Sequence, residues 1–193
     1  MRDIVQCQRI GAAGERAGGD TSGSDAESGD DDTDSREHRG QIQGMDERNG
    51  EQYKSKSQKI RAITETWAES NMFCPYCGNQ YIFHFENNRP VADFFCPSCR
   101  EEYELKSNGI SIGKKVNDGA YKTMIERIKS INNPNFFFMH YNKSNYRVEN
   151  LIMVPKYFFS PDIIEKRKTL LNTARRAGWT GCNILLNQIP DEG

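Results

Sequence analysis

An α/β domain, a mixed sheet flanked by helices, is what this chain predicts, and three patterns predict it. Segments with apolar residues at helical spacing alternate with short segments of period-two alternation, the mark of strands half buried on a sheet. Two Cys-x-x-C pairs sit among the expected strands. The apolar patterning begins only near residue 45, behind an acidic stretch that lacks aliphatic clusters.

Residues 1–44 abound in Gly, Ser, Asp and Ala, with runs such as Gly18-Gly19-Asp20-Thr21 and Asp30-Asp31-Asp32-Thr33-Asp34. Such a stretch cannot bury enough apolar surface to order itself, so a disordered acidic tail is expected. It holds five Lys and Arg against ten Asp and Glu, and residues 45–193 hold twenty-one against seventeen. The formal charge of −1 therefore hides a tail at −5 and a body at +4. A basic body suits a polyanion, because Lys and Arg at phosphates release counterions and dominate affinity. Many ordinary domains are as basic, so the sign is weak evidence by itself. The tail has three readings: a shield for the basic face, an inert linker, or sequence translated ahead of a start at Met45. The 149 residues from Met45 onward make one domain of ordinary size. With no signal peptide at the start, a cytoplasmic protein with no membrane partner is expected.

Residues 55–70 predict a helix, with Ile60, Ile63 and Trp67 on one face and Asn71 and Cys74 ending it. The aromatic run Tyr81-Ile82-Phe83-His84-Phe85 leads through an Asn87-Asn88 turn to a strand over residues 92–95, followed by a strand over 101–107. Asp118 reads as the N-cap of a helix over about residues 119–130, with Tyr121, Met124, Ile125 and Ile128 buried. Residues 135–141 and 147–154 read as strands joined by the polar turn Asn142-Lys143-Ser144-Asn145. Phe136-Phe137-Phe138 fits a buried central strand better than a platform for stacking bases. Ser160 and Pro161, an N-cap and a first-turn proline, predict a helix through about Lys168.

Cys74-Pro75-Tyr76-Cys77 and Cys96-Pro97-Ser98-Cys99 are separated by eighteen residues, a spacing that suits a four-thiolate zinc site. Nothing at the start of the chain points to an oxidising compartment, which disfavours a disulfide reading, and a redox motif rarely comes as a matched pair. A closed four-cysteine site leaves no position for water or substrate, so zinc here is structural. Cys7 and Cys182 lie outside both pairs and are expected to be free thiols.

In the expected strand 101–107, alternation puts Glu104 and Lys106 on a polar face while Tyr103 and Leu105 turn to the core. Asp93 lies three residues before Cys96, and Glu104 five after Cys99. Carboxylates that hold a divalent ion, with a cation beside the attacking water, are what metal-dependent phosphodiester cleavage needs, and zinc would clasp the turn between them. A lone Asp…Glu-x-Lys is also common by chance. Glu65 stands open as a further metal carboxylate or a solvated helix charge. His84 and His140 could serve as a general base or a metal ligand, but with four cysteines and a carboxylate pair at hand they read as ordinary strand residues with polar partners. Arg175, Arg176 and Trp179 form a basic and aromatic cluster suited to DNA, since arginine forks onto guanine and an apolar wall can meet a methyl group. Their bland reading is phosphate anchoring and a core tryptophan.

Taken together, Asn87–Phe94, the two cysteine pairs, Glu104-Leu105-Lys106, Asn117–Tyr121, Asn133–Phe138, Thr173–Trp179 and Gly181–Ile184 closely resemble the catalytic domain of the DpnI-type, Dam-replacing restriction endonucleases. The resemblance runs from about Met45 to the C-terminus. It implies a PD-(D/E)xK nuclease fold carrying an inserted zinc knuckle, and Mg²⁺-dependent double-strand cleavage of DNA at GATC with an N6-methylated adenine. On that reading Mg²⁺ sits between Asp93, Glu104 and the Leu105 carbonyl, and Lys106 orients or deprotonates the attacking water. Two departures stand out. Val91 and Ala92 separate Pro90 from Asp93, and no second, C-terminal winged-helix domain follows, so weaker binding and looser selectivity are expected. Oligomeric state is left open. Two rival readings remain: a nuclease of this fold with another specificity or a repair role, and a non-catalytic zinc-ribbon DNA-binding module.

Overall fold

The structure, a computed structural model, describes residues 44–86 and 92–189. The expected tail, apart from Gly44, lies outside the described residues, as do Cys7, the Asn87-Asn88 turn and Pro90.

Helix α1 spans Lys56–Asn71. It is followed by β1 (Phe83–His84), β2 (Phe94–Phe95), β3 (Glu102–Asn108), β4 (Lys115–Ala120), α2 (Tyr121–Ile128), β5 (Asn135–Tyr141), β6 (Val148–Val154), β7 (Ile164–Lys166) and β8 (Gly181–Leu185). Five strands form a mixed sheet in the order β1-β2-β3-β5-β6, in which β3 and β5 are parallel and the other neighbours antiparallel. A parallel pair needs a crossover connection, and β4 with α2 supplies it. β4, β8 and β7 make a second, antiparallel sheet.

β5 is the hub. Phe137 and Met139 turn to one core with Ile63, Trp67 and Tyr103, while Phe136 and Phe138 turn to another with Met124, Ile164 and Ile184. Successive residues of a strand face opposite ways, so a strand covered on both faces must be apolar at consecutive positions. The run of three phenylalanines does this, and each such buried ring stabilises the fold by about 1.5–3 kcal/mol over exposure. α1 covers the first face with Ile63, Trp67 and Ala68; Ile63 and Trp67 belong to the expected stripe, and its third member, Ile60, is partly buried against the same core.

Two expected elements are different. Residues 160–168 do not form a helix: Pro161–Ile163 makes a single 3-10 turn that gives way to β7. Ser160 makes no side-chain cap bond, and Ile163 and Ile164 are both buried, with Ile164 registered against Ile184 of β8. The Ser-Pro signal started a turn, and pairing with β8 ended it. Asp118, expected as an N-cap, lies within β4 opposite Cys182, and α2 starts only at Tyr121 after Ala120. Asn-Asp-Gly is poor strand sequence, and its strand state is imposed by pairing with β8, with a register shift around Gly119. Among the described residues, no helix is long and apolar enough to cross a membrane.

Candidate active site and cysteine clasp

β2 is short, so beyond Tyr103 the outer edge of β3 is open. The Asp93 amide donates to the Tyr103 carbonyl at 2.9 Å, and two residues further along the same edge the Leu105 amide donates to Asp93 Oδ2 at 2.8 Å. A strand residue sends its N–H and C=O to the same edge. The Leu105 carbonyl therefore lies along this edge too, while the Leu105 side chain packs on the α1 core.

Around this edge a cleft of about 380 Å³ gathers Asp93, Glu104, Leu105 and Lys106, with Arg61 and Glu65 from α1 and Arg127 from α2. Lys106 Nζ bridges Glu104 Oε1 and Asp118 Oδ1, the latter at 2.5 Å. Arg127 closes on the other oxygen of Glu104. Arg61 spans Glu65 and Asp93, reaching Asp93 Oδ1 at 2.9 Å. The structure thus brings together four sequence-predicted residues and adds Arg61, Arg127 and Asp118 to them. Glu65 faces this cleft and is not a solvated charge. Its i,i+4 spacing from Arg61, beside the apolar stripe of α1, was the available signal.

Burial is the main influence raising the Asp93 carboxyl above its ordinary range, only partly offset by the Leu105 amide, and the nearby Glu65 charge adds to the rise. Burial also works to raise Glu65, but hydrogen bonds from His84 and Arg61 outweigh it and hold Glu65 below its usual 4.5. Desolvation lowers Arg127 from its ordinary value. His84 on β1 gives Nε2 to Glu65 Oε2 at 2.9 Å, which lifts its imidazole above the usual 6.5. His140 lies 3.4 Å from Glu149, away from this cleft, as an ordinary strand partner.

The His84–Glu65 pair sets a pH signature. A raised imidazole stabilises the fold fully below its unfolded value of 6.5 and stops doing so as pH climbs through its folded value, while a lowered carboxyl stabilises above 4.5 and stops as pH falls through its folded value. Both contributions overlap between 4.5 and 6.5. His84→Gln is therefore expected to lower Tm most within that window and progressively less towards alkaline pH. Thermal melts across pH check it, and a Tm deficit independent of pH would show that the pair is not the cause.

Cys74, Cys77, Cys96 and Cys99 place their sulfurs all within 4.8 Å of one another. None of the four is in a disulfide, and Sγ pairs lie at 3.5 Å (Cys74–Cys99) and 3.6 Å (Cys77–Cys96). A tetrahedron with Zn–S bonds of about 2.3 Å has edges of about 3.8 Å, so the cluster could hold a metal ion such as zinc. Each Cys-x-x-Cys motif, Cys74–Cys77 and Cys96–Cys99, forms a knuckle of the same geometry. The amides of Gly78 and Arg100 donate to the Cys74 and Cys96 carbonyls at 2.9 Å, and both residues take left-handed φ, 75° and 63°. The Asn79 amide draws Cys77 down to about 7, whereas burial pushes Cys74 and Cys99 up. Tyr103 lends its hydroxyl to Cys74 Sγ at 3.0 Å while its ring stacks on Phe137. The clasp joins the segment after α1 to the turn between β2 and β3, and so ties Arg61 and Glu65 to Asp93 and Glu104.

Arg175, Arg176 and Trp179 lie outside the cleft, on the segment between β7 and β8. Arg175 and Arg176 are exposed. The Arg176 guanidinium rests over the Trp179 ring at 4.4 Å, and Gly181 leaves room for that ring, since a Cβ there would meet it at 2.6 Å. β8 begins at Gly181 and pairs with β4 across Asp118, so this segment emerges beside the cleft's Lys106–Asp118 contact. Cys182, the remaining described cysteine, is a buried free thiol that donates to the Gly119 carbonyl.

A family model described as DpnI: Dam-replacing family matches residues 43–193. The chain belongs to the Dam-replacing family. Membership brings a restriction nuclease with a DNA substrate as the class of activity, and the match spans every described element from α1 to β8.

Proposed function

We propose that this member of the Dam-replacing family is a Mg²⁺-dependent type II endonuclease that makes double-strand cuts at GATC sites carrying N6-methyladenine. The observation that carries the reading is the cleft at the open edge of β3, where Asp93, Glu104 and Lys106 meet. A non-catalytic zinc-ribbon module would have no use for two mostly buried carboxylates held against lysine and arginine, an arrangement that carries a desolvation cost.

Two carboxylates and a backbone carbonyl are the hard oxygen donors that Mg²⁺ takes. Asp93, Glu104 and the Leu105 carbonyl would hold it, with Glu65 at the margin. When bound, the ion neutralises charge that develops on the phosphate during in-line displacement. Lys106, whose ammonium is fixed between Glu104 and Asp118, orients the attacking water, and the proton that the water gives up passes to a carboxylate of the cleft. Arg61 and Arg127 supply positive charge to the cleft through their contacts with Asp93 and Glu104. The four cysteines hold zinc and keep the two carboxylates in register. Arg175, Arg176 and Trp179 contact the DNA, and the protein acts in the cytoplasm.

A plasmid digest with Mg²⁺, using adenine-methylated and unmethylated DNA side by side, tests this. At limiting enzyme the methylated plasmid is expected to be cut and the unmethylated one spared. One base-edge feature discriminates by about 1–3 kcal/mol, a factor of about 5–150, so relaxed cutting at related methylated sites is expected at high enzyme. Equal cleavage of both plasmids would leave the nuclease and remove the methyl requirement. No cleavage of either would favour the binding module.

A further inference from the structure

A second cleft, of about 440 Å³, opens elsewhere on α1 and is lined by Lys56, Lys59, Ile60, Tyr141, Lys143 and Tyr146. At about 100° per residue, Lys56 and Lys59 point roughly 140–160° around the helix from Arg61, so the two clefts flank α1. They are nonetheless neighbours: Asn108, the last residue of β3, registers with His140, which precedes Tyr141. The second cleft begins just past the end of the strand that carries Glu104 and Lys106.

Three features of its build go beyond ordinary surface. Tyr141 and Tyr146 hold their rings parallel, with an interplanar angle of 3° and centroids 6.3 Å apart. Tyr146 does so at φ 51°, a left-handed conformation that bulky residues seldom take. Its amide donates to the Asn142 carbonyl, and its carbonyl accepts from Met45, each at 2.9 Å, so the surrounding turn holds the unfavourable backbone in place. Two of the lysines lie across bare backbone. A Cβ on Gly109 would come within 2.3–2.9 Å of the Lys143 stem, and one on Gly50 within 2.5 Å of Lys59 Cγ. Among the described residues, Lys56, Lys59 and Lys143 have no carboxylate partner. Three uncompensated ammonium groups around an aromatic pair match a nucleotide, whose phosphate takes the charge and whose base takes the ring face.

We propose that this cleft is a further DNA contact, separate from the cleavage cleft and from the Arg176–Trp179 segment, taking one nucleotide of the strand that runs on from the cut site. Only the identity of that strand rests on the nuclease reading. The lysines take the phosphate and Tyr146 meets the base.

The test measures binding of the full chain to a fluorescein-labelled duplex without Mg²⁺ across a salt series, so that no cleavage is needed. Lys59→Ser/Lys143→Ser is expected to weaken binding and to reduce the slope of log affinity against log salt by about 2, one for each phosphate-facing lysine. Tyr146→Gly, which suits the left-handed backbone, is expected to weaken binding about fivefold or more with the slope unchanged. Lys122→Ser/Lys129→Ser, exposed on and just after α2, serves as the control for overall charge. Matching losses in the control and the lysine pair would overturn the proposal, as would unchanged affinity and slope in a lysine variant with wild-type Tm. Plasmid cleavage by the wild type, assayed separately, reports on the nuclease reading alone.

Discussion

Alanine at Asp93, Glu104 or Lys106 is expected to abolish plasmid cleavage, with losses of at least about a hundred- to a thousandfold, the usual cost of removing one preorganised electrostatic group from an active site. The three variants should differ in stability. Glu104 is the counter-charge of both Lys106 and Arg127, and all three side chains are mostly buried. Truncating one partner of such a group leaves charge poorly compensated, at a cost of about 3–5 kcal/mol. Glu104→Ala should therefore lower Tm clearly, and Glu104→Gln less so. Asp93→Ala removes a carboxylate that burial already disfavours and whose partner Arg61 is largely exposed, but it also takes the acceptor from the Leu105 amide, so it should be inactive with a Tm loss smaller than that of Glu104→Ala. Cleavage rates set beside thermal melts separate the two effects. Wild-type turnover by any of the three alanine variants would end the catalytic assignment.

The parts of this molecule legible in its sequence are those whose signal is contiguous. The alternation of Tyr103, Glu104, Leu105 and Lys106 fixed which residues face the cleft and which the core, and the three phenylalanines of β5 announced a strand covered on both faces. The cysteine pairs were legible because their spacing has few other uses. What stayed hidden depends on packing between distant segments. Arg127 reads as any basic residue near a helix end until α2 is laid against β3. Asp118, followed by a helix, carries the N-cap signal in full, and only pairing with β8 assigns it to Lys106 instead. β7 and β8 are short strands of mixed composition, and their strand state is a property of the second sheet more than of their own residues. Glu65 lay between these cases, since its spacing from Arg61 was visible but the direction of that face was not.

Protein purified under reducing conditions is expected to carry one zinc per chain, and stripping it with a strong chelator should unfold or inactivate the domain. Structural zinc contributes about 10–16 kcal/mol in zinc-finger peptides that have little other core, whereas here β5 lies in a phenylalanine-rich core of its own, so metal loss acts first on the clasp. The position of the clasp makes the catalytic consequence specific. One cysteine pair follows α1, which carries Arg61 and Glu65, and the other forms the turn between β2 and β3, beside Asp93 and Glu104. Tyr103 extends the link, since its hydroxyl meets Cys74 while its carbonyl receives the Asp93 amide. Loss of metal should thus misplace Asp93 before it melts β5, and cleavage should fail at chelator concentrations where the near-ultraviolet signal of the core persists. Cys77→Ser, at the exposed corner of the cluster, should weaken zinc retention and reproduce that order of events, with activity lost ahead of fold. Elemental analysis finding no zinc would remove the clasp, and full activity in chelator-treated, zinc-free protein would show that the thiols hold the carboxylates in register without a metal.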